Sequence, residues 1–152
     1  MPKRFSWVIE EKLAGMERPG LFFPLEEDLE FLRESGIDVI VNLEEVPREY
    51  SGFEVKHIPI KDFGAPRLED FEEFVRFVDC KIKEGKKVVV HCYAGMGRTN
   101  LMIASYLVSL GTEPSRALQT VEEKRPCFLV VEEQEEALWE YFYTIRPKEN
   151  NQ

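Results

Sequence analysis

The sequence predicts an α/β domain with a mostly parallel central sheet of about five strands and helices on both of its faces. Short apolar runs such as Ile37–Leu43 and Lys87–His91, the latter with three consecutive valines, have the composition of strands covered on both sides. Segments with helical spacing alternate with those runs, and strand–helix alternation winds into a parallel sheet. At 152 residues the chain is long enough for one domain with its own core, and no low-complexity linker or internal repeat divides it. Residues 1–152 are therefore read as one unit, its last few residues as an unstructured tail.

Phe5–Ile9 and Lys12–Met16 read as two short initial strands. Pro24 to Gly36 reads as a helix, with proline near its start, acids in its first turn and glycine as its stop. Its Leu25, Leu29 and Leu32 fall on one face. Ile37–Leu43 and Val55–Ile60 are the next strands. Glu69–Glu84 carries Phe71, Phe74, Val75 and Val78 at helical spacing and stops at Gly85. Lys87–His91 is the expected central strand. Arg98–Leu110 and Pro114–Lys124 follow as helices, and a last helix from about Glu132 to Ile145 turns Ala137, Leu138, Tyr141 and Phe142 inward. The eleven phenylalanines are expected to supply core.

Composition narrows the classes. Hydrophobic residues at 43% and charged residues at 32% describe a globular chain rather than a disordered one. A net charge of −9 argues against nucleic-acid or anionic-membrane partners, though not against one local anion pocket. The apolar stretches are too short to span a bilayer, and the basic start lacks a following apolar run, so a cytoplasmic monomer without a signal peptide is expected. Abundant Glu and Lys with few Asn and Gln fits a thermophile. Three widely spaced cysteines make neither a zinc site nor a disulfide framework, so neither metal nor cofactor is expected. Cys80 and Cys127 are read as small buried hydrophobes, with a resolving role toward an oxidised Cys92 as the alternative.

The chemistry concentrates in His91-Cys92-Tyr93-Ala94-Gly95-Met96-Gly97-Arg98-Thr99, between an apolar strand and a helix. Five residues separate Cys92 from Arg98, enough for a tight loop whose amides converge on one point. Gly95 and Gly97 permit the backbone geometry of such a nest. The helix starting near Arg98 adds its positive end, and Arg98 offers a planar fork for two oxygens of a phosphate. The same field favours the thiolate of Cys92, a nucleophile for phosphorus. The expected phosphate-binding set is Tyr93, Ala94, Gly95, Met96, Gly97 and Arg98, with a neutral, partly aromatic rim suited to an aryl phosphate. Thr99 is expected to donate to the sulfur. His91 is expected to orient the loop and favour the thiolate through hydrogen bonds rather than act as the proton-abstracting base, because neighbouring side chains on a strand face opposite ways.

The pattern H-C-x-x-G-x-x-R-T resembles the signature of the cysteine-based protein tyrosine phosphatases. The chain's size and its Asp62-Phe63-Gly64-Ala65-Pro66 segment look like the small atypical dual-specificity phosphatases of the VHZ type. The resemblance implies a phosphatase fold with a P-loop between strand and helix, no metal, a phosphorylated protein substrate and a phosphocysteine intermediate. It also implies a mobile general acid about thirty residues before the nucleophile, which falls on Asp62; the loop character of the residues after Asp62 supports the choice. Asn100 departs from the pattern, since the family commonly has glycine after the Arg-Thr pair. Asp70 and Asp79 are read as solvated helix-face residues. The resemblance often places a polar residue from the segment before the last helix near the hydrolytic water, a place open to Gln134, with a solvated helix face as the alternative for Glu133 and Gln134. Arg125, before Pro126, is read as a helix terminator, with contact to substrate as the alternative.

The leading expectation is hydrolysis of phosphotyrosine with some activity on phosphoserine and phosphothreonine. Alternatives are a phosphatase of a non-protein ester, a phosphotyrosine-binding module without turnover, and a sulfur-transfer protein.

Overall fold

The computed structural model describes residues 1–146, so the expected terminal tail lies outside the described residues. The elements are β1 (Ser6–Ile9), β2 (Leu13–Met16), α1 (Leu25–Glu34), β3 (Ile37–Asn42), β4 (Glu54–His57), α2 (Leu68–Lys83), β5 (Lys87–His91), α3 (Arg98–Ser109), α4 (Pro114–Lys124) and α5 (Glu132–Ile145). The five strands lie in the order β1-β2-β5-β3-β4. β2, β5, β3 and β4 run parallel to their neighbours, and only β1 pairs antiparallel, with β2. The sheet is therefore mixed, its inner pairings parallel as expected.

β5 sits at the centre because Val88, Val89 and Val90 have apolar cover on both sides. Val88 and Val90 face the large core beneath α2, α3, α4 and α5, whereas Val89 faces the smaller core beneath α1. The period of two continues past the strand's end. Cys92 joins the Val88–Val90 side, and His91 turns to the side of Tyr50. One register thus decides which residue reaches the α3 end of the sheet.

Helix α1 covers its face with Leu29 and Leu32, but Leu25 at its first turn is 42% exposed, contrary to the one-face expectation. Only Phe71 and Phe74 among the phenylalanines are fully buried. Phe22, Phe23 and Phe63 stand exposed, and the others pack at the core margins. The ring of Phe71 stacks on Tyr141 of α5 at 5.1 Å. Asp70 is buried rather than solvated: its carboxylate accepts the Arg67 amide at 2.9 Å and closes a capping box at the start of α2. Asp79 is half-exposed and accepts from Tyr106 at 3.1 Å, tying α2 to α3.

β4 is shorter than the expected Val55–Ile60 because Pro59 has no amide to give the ladder. Ile58 and Ile60 still donate to Asn42 and Leu43 at 3.0 and 3.1 Å. These bonds lead the chain past the end of β3 and bring Asp62 beside the end of β5. Phe71→Ala is expected to cost about 3–5 kcal/mol by emptying the space against Tyr141. Urea unfolding should show a lower midpoint with an unchanged slope.

Candidate active site

The loop from Cys92 to Gly97 turns the end of β5 into the start of α3, at the carboxyl end of the parallel strands. Five successive carbonyls in it are each held from outside. Cys92 O accepts from His91 Nδ1 at 3.0 Å, and Tyr93 O accepts from the Arg18 amide at 3.0 Å. Ala94 O accepts from Arg4 Nη1 at 3.1 Å, and Gly95 O from Arg125 Nη1 at 2.7 Å. Met96 O accepts from Asn100 Nδ2 at 2.8 Å and the Leu129 amide at 2.9 Å. A trans peptide points its N–H opposite to its C=O. The amides of Tyr93, Ala94, Gly95, Met96 and Gly97 are therefore aimed inward, and none has an acceptor among the described residues. Gly95 makes the turn possible at φ +77°, where a Cβ would lie 2.5 Å from Met16 O.

At the centre stands Cys92, 3% exposed, with its Sγ accepting from Thr99 Oγ1 at 3.1 Å. Arg98 is also buried. Its Nη1 donates to Ile60 O at 2.9 Å, its Nε has no acceptor, and its Nη2 lies 3.4 Å from Asp62 Oδ1. The Nε–Nη2 edge is thus available to an oxyanion. No side chain caps the start of α3, so the helix end adds its partial positive charge. A cavity of about 270 Å³ opens here, lined by Asp62, Phe63, Tyr93, Ala94, Met96, Leu129 and Gln134 together with Cys92, Gly97 and Arg98. Phe63, with φ +58°, stands exposed at the mouth.

Nearly all the sequence-predicted residues therefore meet. Cys92, Arg98, Thr99, Asp62 and the loop residues converge, with Gly95 at the rear against Met16 and Glu17. His91 orients the loop through the Cys92 carbonyl, but it faces away from the sulfur and makes no hydrogen bond to it, so it holds the loop's backbone rather than the thiol. Its Nδ1–H is the donor, which leaves Nε2 to accept from Tyr50 OH at 3.0 Å. Burial pushes its pKa down to about 4 against the opposing pull of the Cys92 carbonyl bond and Glu44, so the ring is neutral near pH 7.

Sequence reasoning missed four supports. Gln134 is buried beside the cavity rather than on a solvated face, and its amide joins the Val131 amide to Gly64 O at 3.1 and 3.2 Å. Arg125 is not merely a helix end but is buried under the loop. Asn100 bonds Met96 O and Cys127 O. Arg18, which holds the Tyr93 carbonyl, is gripped by Glu44 through two hydrogen bonds of 2.8 and 2.5 Å. The departure at Asn100 was the one available signal. Cys80 and Cys127 are exposed, which overturns their reading as buried hydrophobes. Among the described residues no group of His, Cys, Asp or Glu is arranged to hold a metal ion.

The neutral His91 makes stability pH-dependent. In the unfolded chain it takes a proton near 6.5, in the folded chain only near 4, so the unfolded state holds more protons in that window. Stability is present above pH 6.5 and is lost as pH falls toward 4, by up to about 1.4 kcal/mol per pH unit. Urea titrations across this window should show that contribution in the wild type and its absence in His91→Gln; equal slopes would contradict it.

With the geometry in place, comparison with known proteins places the chain among relatives. A family model described as "Polymorphic toxin system, DSP-PTPase phosphatase" matches residues 14–112. Tyrosine-protein phosphatase CDC14 of Candida albicans is 33% identical over 97 residues, covering 60% of this chain and 18% of the relative. Phosphatidylglycerophosphate phosphatase PTPMT1 of Arabidopsis thaliana is 31% identical over 130 residues, 79% of this chain and 39% of that protein. Among solved structures, Tk-PTP in its active form superposes with a TM-score of 0.81 at 31% identity, over 94% of this chain and 99% of that one. The chain spans only 18%, 57% and 53% of the lengths of three of the curated relatives it matches. The chain belongs to the DSP-PTPase phosphatase family.

Proposed function

We propose that this chain is a cysteine-dependent protein phosphatase that hydrolyses phosphotyrosine, with some activity on phosphoserine and phosphothreonine, through a phosphocysteine intermediate. The single observation that carries the reading is the ring of inward amides from Tyr93 to Gly97 around the Cys92 sulfur, closed by the Nε–Nη2 edge of Arg98. Such donors stabilise the charge on the equatorial oxygens of a phosphoryl group in transfer.

The Cys92 thiolate attacks phosphorus in line, the S–P bond forms, and the P–O bond to the substrate breaks. The leaving oxygen takes a proton from Asp62. Water then attacks the phosphocysteine, gives its proton back to Asp62, and the S–P bond breaks with its electron pair returning to sulfur. Thr99 Oγ1, already 3.1 Å from the sulfur, stabilises that thiolate. Asp62 is more than half exposed and leans on Arg98, so an incoming phosphate replaces it on the guanidinium and frees it to reach the leaving oxygen. Gln134 supports that loop through Gly64 O.

A lipid phosphate ester is the second reading, since relatives named for phosphatidylglycerophosphate and phosphatidylinositol phosphates are among the matches. The loop from Tyr93 to Gly97 carries no lysine or arginine to grip a further headgroup phosphate, and its Tyr93 is 46% exposed for contact with an aryl ring.

The test is turnover of p-nitrophenyl phosphate and phenyl phosphate in EDTA by wild type, Cys92→Ser and Asp62→Asn. The wild type should turn over both and Cys92→Ser neither. Asp62→Asn should slow phenyl phosphate by about 10²–10⁴-fold and the activated ester much less. Activity of Cys92→Ser near wild type would refute the nucleophile, and equal slowing of both esters would refute Asp62 as the acid.

A further inference from the structure

Arg125, just past the end of α4, is 1% exposed and is the largest fully buried side chain among the described residues. No carboxylate forms an ion pair with it there. Glu17, the acid that faces it, spends both oxygens on the amides of Lys3 and Arg4 at 2.9 Å. A cation buried in this way is costly unless something else compensates it. Its hydrogen bonds all go to neutral acceptors: Nη1 to Gly95 O at 2.7 Å and to Asn100 Oδ1, and Nη2 to Arg4 O at 2.7 Å. The space is shaped for it. A Cβ on Gly15 of β2 would stand 2.8 Å from the guanidinium carbon and 2.9 Å from a methyl of Thr99.

We propose that Arg125 is a positioning residue that sets the anion cradle from behind and supplies it with a second positive charge. The inference rests on the cradle described above and deepens the phosphatase reading. The Gly95 carbonyl shares a peptide plane with the Met96 amide, so holding the one outward holds the other inward. Asn100 locks the neighbouring peptide the same way, through Met96 O, and its Oδ1 takes the same guanidinium nitrogen that binds Gly95. The first turn of α3, the chain after α4 and the N-terminal segment thus converge on one fork, which a lysine could not reproduce. The charged and titratable groups facing that fork are Cys92, Cys127, Glu17 and Arg4. The compensating anion is the one the loop holds: the Cys92 thiolate, and the oxyanion when bound.

The experiment compares wild type, Arg125→Met, Arg125→Lys and Asn100→Ala by tungstate calorimetry and by kcat and KM on p-nitrophenyl phosphate. Arg125→Met should bind tungstate at least about tenfold more weakly and lose about a hundredfold in kcat/KM, chiefly in kcat, as misplaced reacting groups do. Arg125→Lys should recover part of the tungstate affinity but little of kcat. Arg125→Met with tungstate affinity and kcat/KM both unchanged would overturn the proposal. If Arg125→Met loses its cooperative thermal transition, Asn100→Ala decides: a loss concentrated in kcat supports the inference, and wild-type kinetics overturn it. A wild type that binds tungstate but hydrolyses nothing, with weaker tungstate binding in the folded variants, would refute the phosphatase reading and keep this one. A wild type that binds no tungstate would refute both.

Discussion

Everything at the end of β5 depends on the outward anchoring of five consecutive carbonyls. A peptide group cannot offer both its ends to one side, so a loop that presents its amides to an anion must dispose of its carbonyls elsewhere. Here they are spread over donors from the N-terminal segment, Arg18 just past β2, the strand itself, the first turn of α3, and Arg125 and Leu129 between α4 and α5. Because each anchor comes from a different part of the chain, the cradle exists only when the whole fold is assembled. Among the described residues, Asp62 is the one carboxylate that lines the cavity.

The sheet contributes by register. Alternation along Val88–Cys92 sends the thiol toward α3 and the imidazole toward Tyr50, so a single strand delivers both the proposed nucleophile and a brace for its backbone. Pro59 ends the β4 ladder and lets the chain swing Asp62 over the cavity, while Ile60 O accepts from Arg98 Nη1 and fixes which edge of the guanidinium faces the cavity. The anchor of Arg98 and the proposed acid thereby come from one short segment, Ile60 to Asp62.

How much of this the sequence disclosed follows the range of the interactions. Strand composition, helix periodicity and the stop signals at Gly36, Gly85 and Gly111 are local, and they placed every element to within a few residues. The Cys92–Thr99 stretch is also local, and Asp62 was reached by joining its loop character to a family resemblance. What escaped was long-range and polar. Arg125 lies thirty positions from the carbonyl it holds, and nothing near it in sequence distinguishes a buried arginine from a helix-ending one. Gln134 sits in an acidic run that reads as solvent-facing, yet its partner is seventy positions away. Leu25 and the exposed phenylalanines failed in the opposite sense, since apolar character says that a side chain can be buried and not that a neighbour arrives to cover it.

The most direct test of the cradle is a crystal structure of the protein with tungstate. The account predicts a tetrahedral oxyanion seated over the Cys92 sulfur, its oxygens within hydrogen-bond reach of the amides from Tyr93 to Gly97 and of Arg98 Nε and Nη2, with Asp62 displaced from the guanidinium. An oxyanion bound away from the sulfur, or loop carbonyls turned toward it, would contradict the account.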